Sequence, residues 1–304
     1  MKKLISVLAG ILVFSIAHSQ QMPLSESYYL DKYSFSPSYA GNYNPRFLFL
    51  DYRSDWTGID GGPKTFRASY NDRLMMNSGY GAKLILDRAG IFNQLYVLGS
   101  YSYNLKVSED HHILFGLSAG LYRNTINMLE YYNDPEYNID PSLISKDIKS
   151  KIKFMSEASL VWTWKGLEAG FMFSNINFGD AHYKDLDIVY KPMANFRFHA
   201  SYDWKVSENW DVEPLAVVRG GKYILSQFEF AARAVYRQKV WGSLVYRDPG
   251  VIGAGIGCSI GEALLINYNF NFASNVALNI FNNHEFCLGI NIFRLASKKQ
   301  EADI

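Results

Sequence analysis

The pentad Gly257-Cys258-Ser259-Ile260-Gly261 has the G-x-S-x-G spacing of a hydrolase nucleophile, which lifts a serine on a sharp turn between a strand and a helix. Here Glu262 opens a second strand, so small residues packing in a wall explain the pattern. His111-His112 fall in a predicted turn between strands, where successive side chains point to opposite sides and do not share a metal. Asn133, Asp134, Glu136 and Asp140 concentrate acceptors at a spacing loosely like a calcium loop. The regular ligand positions and central glycine of an EF-hand are missing, which leaves a solvated acidic loop as the simpler reading. Arg197, His199 and Asp203 share one strand parity, as do Glu229, Arg233 and Arg237. Such rows could handle protons or select ions, but opposite charges on neighbouring strands also pair without either role. Cys258 continues the apolar row Ile252, Ala254 and Ile256, whereas Cys287 alternates against Phe286, Leu288, Ile290 and Ile292. The two thiols therefore face opposite sides, and no bridge is expected between groups that must bring Cβ atoms to about 4 Å. No catalytic residue, cofactor or metal ligand is predicted.

What must position these residues is a set of long alternating strands. From Ile113 to Leu121 every second residue is apolar, while Gly116, Ser118 and Gly120 lie between. Phe196, Phe198, Ala200, Tyr202 and Trp204 alternate with Arg197, His199, Ser201 and Asp203, and Phe228, Phe230, Ala232, Ala234 and Tyr236 with Gln227, Glu229, Ala231 and Arg233. Each run sets an apolar face with aromatic ends against a polar or small one. The runs reach about ten residues, the span of a tilted membrane strand, where globular strands average about five or six. Candidate strands cover 46–54, 64–71, 79–87, 92–105, 112–123, 152–164, 166–175, 194–206, 210–219, 223–237, 240–247, 251–260, 262–272 and 284–293. That predicts an all-β, transmembrane antiparallel β-barrel of about 14 strands over 46–294. Pro214 and a slip of alternation near Leu215 make 210–219 the least regular of them. The long connections, 124–151, 176–193 and 273–283, all fall on odd positions in the strand order. They are expected outside the cell, with short turns and both barrel ends periplasmic.

Composition fits. Tyr 22, Phe 20 and Trp 6 supply aromatic girdles, and no stretch after residue 19 offers the roughly eighteen apolar residues of a membrane helix. A net charge of +1 argues against a nucleic-acid partner. Met1-Lys2-Lys3, the apolar run to Ala17 and the small residues before Gln20 predict a signal peptide over 1–19 and an outer-membrane location. Segment 20–45 carries Tyr28, Tyr29, Tyr33, Phe35 and Tyr39, too aromatic for a free tail. It is expected to plug or line the lumen, where the row Asn267, Asn269 and Asn271 could hydrogen-bond it. The tail 295–304 is polar and expected in the periplasm.

Three stretches, Ser36-Pro37-Ser38-Tyr39-Ala40-Gly41, Leu50-Asp51-Tyr52-Arg53-Ser54-Asp55-Trp56-Thr57-Gly58 and Gly62-Pro63-Lys64-Thr65, resemble the N-terminal signature of the PorP/SprF family of the type IX secretion system in Bacteroidota. His284-Glu285 opening the last strand is similar to the family as well. Pro37, Tyr39, Gly41, Tyr52, Arg53, Trp56 and Gly58 match the motif, while Ser36 and Ser38 stand where Asn and Ala are usual and Asp55 where Gln is common. The resemblance implies a non-enzymatic outer-membrane barrel that works with type IX components, the translocon or a periplasmic ring or lipoprotein. It implies a secreted partner with a C-terminal sorting domain, such as a gliding adhesin, anchored at the cell surface, and contact with outer-membrane lipid. Met128, Tyr131, Tyr132, Tyr137, Tyr183 and Tyr190, in the long connections, are the candidate anchors for that partner, because aromatic side chains give contact area at small entropic cost. The alternative is a channel for small solutes lined by Arg67, Glu157, Arg197, Glu229 and Arg233.

Overall fold

In a computed structural model, residues 25–127, 148–177, 181–182, 189–190, 195–221, 224–273 and 282–294 are described. Fourteen antiparallel strands form the wall. The first seven are β1 Phe47–Ser54, β2 Lys64–Met75, β3 Ser78–Ala89, β4 Phe92–Lys106, β5 His111–Ile126, β6 Lys153–Trp164 and β7 Leu167–Asn177. The second seven are β8 Asn195–Tyr202, β9 Trp210–Gly221, β10 Ile224–Tyr236, β11 Val240–Arg247, β12 Val251–Ile260, β13 Leu264–Ala273 and β14 Asn282–Asn291. Each pairs with the next in the chain, and β14 returns to β1, Phe47 opposite Asn291 through Ser54 opposite His284. The sheet therefore has no open edge, which is what a bilayer requires of β-structure. Among the described residues no helix is long and apolar enough to cross a membrane.

The alternation predicted from sequence becomes an inside and an outside. On β5, Leu114, Gly116 and Ser118 are buried in the lumen while Phe115, Leu117 and Leu121 face out. Leu117, Leu244 and Ile256 expose 62, 66 and 67% of their surface, and the belt they share with other outward apolar residues exceeds the patches of soluble monomers. Lipid is the solvent that makes it stable. Cys258 sits outward and partly exposed, Cys287 inward and buried, and both thiols are free.

All fourteen predicted segments appear, with shifted ends and one break. The expected 194–206 strand breaks at Asp203 into β8 and a two-residue piece, Trp204–Lys205. The break lies beside Pro214, which pairs with Ala232 on β10 but has no opposite residue in the ladders with β8 or Trp204–Lys205. A residue with no N–H thus sits where the neighbouring strand makes no demand for one. The GxSxG pentad ends β12 and turns at Gly261 directly into β13, with no helix. One rim carries only short turns, such as Met76-Asn77, Lys165-Gly166 and 261–263, and both barrel ends lie there. The other carries 55–63, 127–152, 178–194 and 274–281.

Candidate functional site

The lumen is filled by the chain's own N-terminal segment, a plug built of a turn at Ser27–Tyr29, a one-turn helix α1 Lys32–Phe35 and a turn at Pro37–Tyr39. Asp31 starts α1 by accepting the Ser34 N–H at 2.9 Å, and Pro37 opens the last turn, each a favoured residue at such a position. The plug's tyrosines decide its course. Tyr28 and Tyr29 pack on Phe49, Leu215 and Val217, and Tyr39 on Leu114 and Val161.

The plug is fastened near both rims. Toward the long connections, the Glu285 carboxylate accepts hydrogen bonds from the Ser25 and Ser27 hydroxyls, at 2.6 and 2.8 Å, and from the backbone N–H groups of Glu26 and Ser27. Glu26 itself joins a buried chain of alternating charges. Glu285 lies 3.0 Å from Arg53, Arg53 3.3 Å from Glu26, and Glu26 2.7 Å from Arg247; Glu229 then bridges Arg247 at 2.5 Å and Arg219 at 2.8 Å. Three carboxylates thus meet three guanidinium groups, which is how charges survive out of water. Midway, Tyr33 shares a 2.8 Å hydrogen bond with Ser100, and Ser27 and Arg67 both donate to Asp51.

Toward the short turns the backbones come together. Ser38 N–H donates to Ser159, Ala40 C=O accepts from Ser102 at 2.6 Å, and Gly41 N–H donates to Asn71 at 2.8 Å. Two of the tightest approaches of the plug backbone fall on wall glycines. A Cβ on Gly116 would stand 2.1 Å from the Ser38 nitrogen, and one on Gly79 2.1 Å from the Ala40 oxygen. Lys32 donates to Glu168 at 2.8 Å and lies 4.3 Å from the Tyr43 ring centroid, while the Tyr39 hydroxyl bridges Glu168 and His199 at 2.9 Å each.

The family-motif residues do not form one site. Pro37, Tyr39 and Gly41 shape the lower plug, and Arg53 holds Glu26 and Glu285 from the wall. Tyr52 faces out at 47% exposure, and Trp56 and Gly58 lie in the 55–63 connection, where Trp56 N–H donates to Asn283. Ser38, where Ala is usual, turns its hydroxyl onto Ser159 at 2.6 Å. The expected luminal charges Arg67, Glu157, Arg197, Glu229 and Arg233 do face inward, and most are spent on pairs: Arg67 with Asp51, Glu157 with Lys83, Arg233 with Glu213. Two members of the predicted rows fall outside the lumen. Asp203 is exposed at the strand break, and Arg237 occupies a turn where it donates to Asn209. Of the three asparagines, all buried inward, Asn271 donates to Glu26 as expected, whereas Asn267 accepts from Trp241 in the wall. His112 bonds Asn104 while His111 stacks beside Trp162 and Trp164. No group of three or more His, Cys, Asp or Glu among the described residues is placed to hold a metal. Met128, Tyr131, Tyr132, Tyr137, Tyr183 and the acidic stretch around Asp134 lie outside the described residues; Tyr190 is described in its backbone alone, in a two-stranded hairpin with Ala181–His182.

Sequence reasoning missed Glu26, Glu168 and Arg247, whose contacts need the register of strands far apart in the chain. Charge at inward parity was the available signal for Glu168 and Arg247.

Among the described residues, the larger spaces beside the plug are about 90 Å³ next to Arg197 and Arg219, about 150 Å³ next to Tyr39 and Glu168, and about 440 Å³ at the short-turn rim. All of them adjoin the fastened plug.

A family model described as type IX secretion system membrane protein PorP/SprF matches residues 17–290. Comparison with curated proteins gives no match. Among solved structures, a Pseudomonas aeruginosa FadL homologue is 10% identical, with a TM-score of 0.51 over 84% of this chain and 91% of its own. The CymD monoaromatic hydrocarbon channel is 11% identical, with a TM-score of 0.53 over 86 and 91%. The Ralstonia pickettii toluene transporter TbuX is 11% identical, with a TM-score of 0.51 over 86 and 92%. At such identities the likeness is one of fold.

Proposed function

Because the chain belongs to the PorP/SprF family of type IX secretion system membrane proteins, we propose that it binds a secreted partner and anchors it at the cell surface, making and breaking no covalent bond. The partner would be a protein with a C-terminal sorting domain, a gliding adhesin for example. The observation that carries this reading is the plug fastened through the lumen by Glu26, Ser38 and Gly41. With the lumen occupied, a macromolecule has only the rims to hold. Met128, Tyr131, Tyr132, Tyr137, Tyr183 and Tyr190, which belong to the long connections, would then supply the anchors, since aromatic-rich loops suit protein recognition. Translocon components, or a periplasmic ring or lipoprotein, would meet the short turns at the opposite rim, and the outward apolar belt would meet outer-membrane lipid.

The test is deletion of 128–147, which leaves the pairing of Thr125-Ile126 with Ile148-Lys149 available to close the loop. The barrel is expected to assemble and the partner to move from the cell surface to the medium. A partner still attached with the long connections trimmed would place its site elsewhere.

A small-solute channel is the second reading, favoured by the channels among the structural neighbours and by the spaces beside the plug. Single-channel recording discriminates, since a fastened plug predicts no steady conductance.

A further inference from the structure

Between the plug and the ends of β7, β8 and β9 that carry the long connections lies the chamber of about 90 Å³, and we infer that it binds a single carboxylate group held by Arg197. The guanidinium of Arg197 is centred 3.7 Å from the Phe35 ring centroid, and one terminal nitrogen lies 3.0 Å from the Met172 sulfur. Its Nε is buried with no hydrogen-bond partner. Arginine carries five N–H donors, and here a ring face and a thioether occupy one side, leaving donors for a ligand.

The other cations of the lining are already matched. Asp51 pairs with Arg67 at 3.0 Å and Glu157 with Lys83 at 2.6 Å, while Asp31 accepts from Ser34 and Ser69. Arg219 is spent on Glu229, though its own Nε is buried and free as well. Among the described residues Arg197 is therefore the lining cation without an ion-pair carboxylate. A buried cation left so is costly, and a planar carboxylate is the group its fork matches best. Space permits it, since a water needs about 10–15 Å³ by the same measure, and the chamber takes several.

The carboxylate could belong to a free organic acid or to an acidic side chain of a peptide. This inference stands apart from partner retention and does not rest on it.

Saturation-transfer NMR on the full-length barrel in detergent tests it, with sodium acetate and a capped aspartyl peptide as probes. Folding of every variant is checked by its faster migration unheated on a gel. The wild type is expected to bind acetate saturably. Arg197→Met, and independently Asn195→Asp, which puts a carboxylate of the chain's own at the chamber wall, are each expected to weaken binding at least about tenfold, the scale of a charged hydrogen bond. Acetate alone binding supports a free organic acid, and peptide binding at least as tight supports a protein ligand. If neither binds the wild type, or if both variants bind as the wild type does, the assignment is overturned.

Discussion

Glu26→Ala removes the one charge that the plug contributes to the buried network. The backbone N–H groups of residues 26 and 27 can still reach Glu285, so the perturbation is chiefly electrostatic. It cuts the chain of six charges in two. Arg53 keeps Glu285 and Asp55, but Arg247, Glu229 and Arg219 are left with one positive charge in excess, and Arg247 and Glu229 are 3 and 1% exposed. Breaking a buried pair in this way costs about 3–5 kcal/mol, or roughly two to three and a half orders of magnitude in the equilibrium between docked and released plug. In planar bilayers the wild type is expected to stay closed and the variant to show openings at least about a hundredfold more often. Its thermal transition should fall as well. Adding Arg247→Met removes that excess and leaves Glu229–Arg219 neutral, so the double variant should recover much of the loss through a coupling of the kind found between contacting residues. A Glu26→Ala barrel as closed and as stable as the wild type would refute the claim that this network fastens the plug.

Other outcomes follow from the same geometry. Gly116→Val puts a branched side chain into the Ser38 backbone, and it should destabilise the plugged barrel by about 1–3 kcal/mol or more, read as a lower thermal midpoint. Leu117→Arg, one residue along but facing lipid, should instead impair insertion by about 2–4 kcal/mol, measured by refolding into vesicles. Cys287 should resist a water-soluble maleimide until the barrel is denatured, whereas rapid labelling in the folded state would mean that the plug side of the lumen is open.

The wall was legible because each strand lies between two solvents, and Phe115, Leu117 and Leu121 against Gly116 and Ser118 record both. The plug was legible as a segment, since Tyr28, Tyr33 and Tyr39 need burial and the lumen is the nearest place for it. Its fastening was not. Glu26 and Glu285 are 259 positions apart, and what joins them is the closure of β14 on β1, a property of register and not of local pattern. Likewise Arg53 stood out in the motif, but neither of its two glutamate partners could be assigned before the sheet was closed. The break at Asp203 was hidden because Pro214 was read as weakening its own strand, when the accommodation lies in the neighbour. Gly116 read as a small inward residue, and only the plug backbone against it gives the reason.

The most direct measurement is to recover the full-length barrel from its membrane in mild detergent and identify, with stoichiometry, what accompanies it. The account predicts a secreted protein with a C-terminal sorting domain at a fixed ratio, lost when 128–147 is deleted, around a barrel that does not conduct. A barrel recovered alone and showing steady, ion-selective conductance would contradict it.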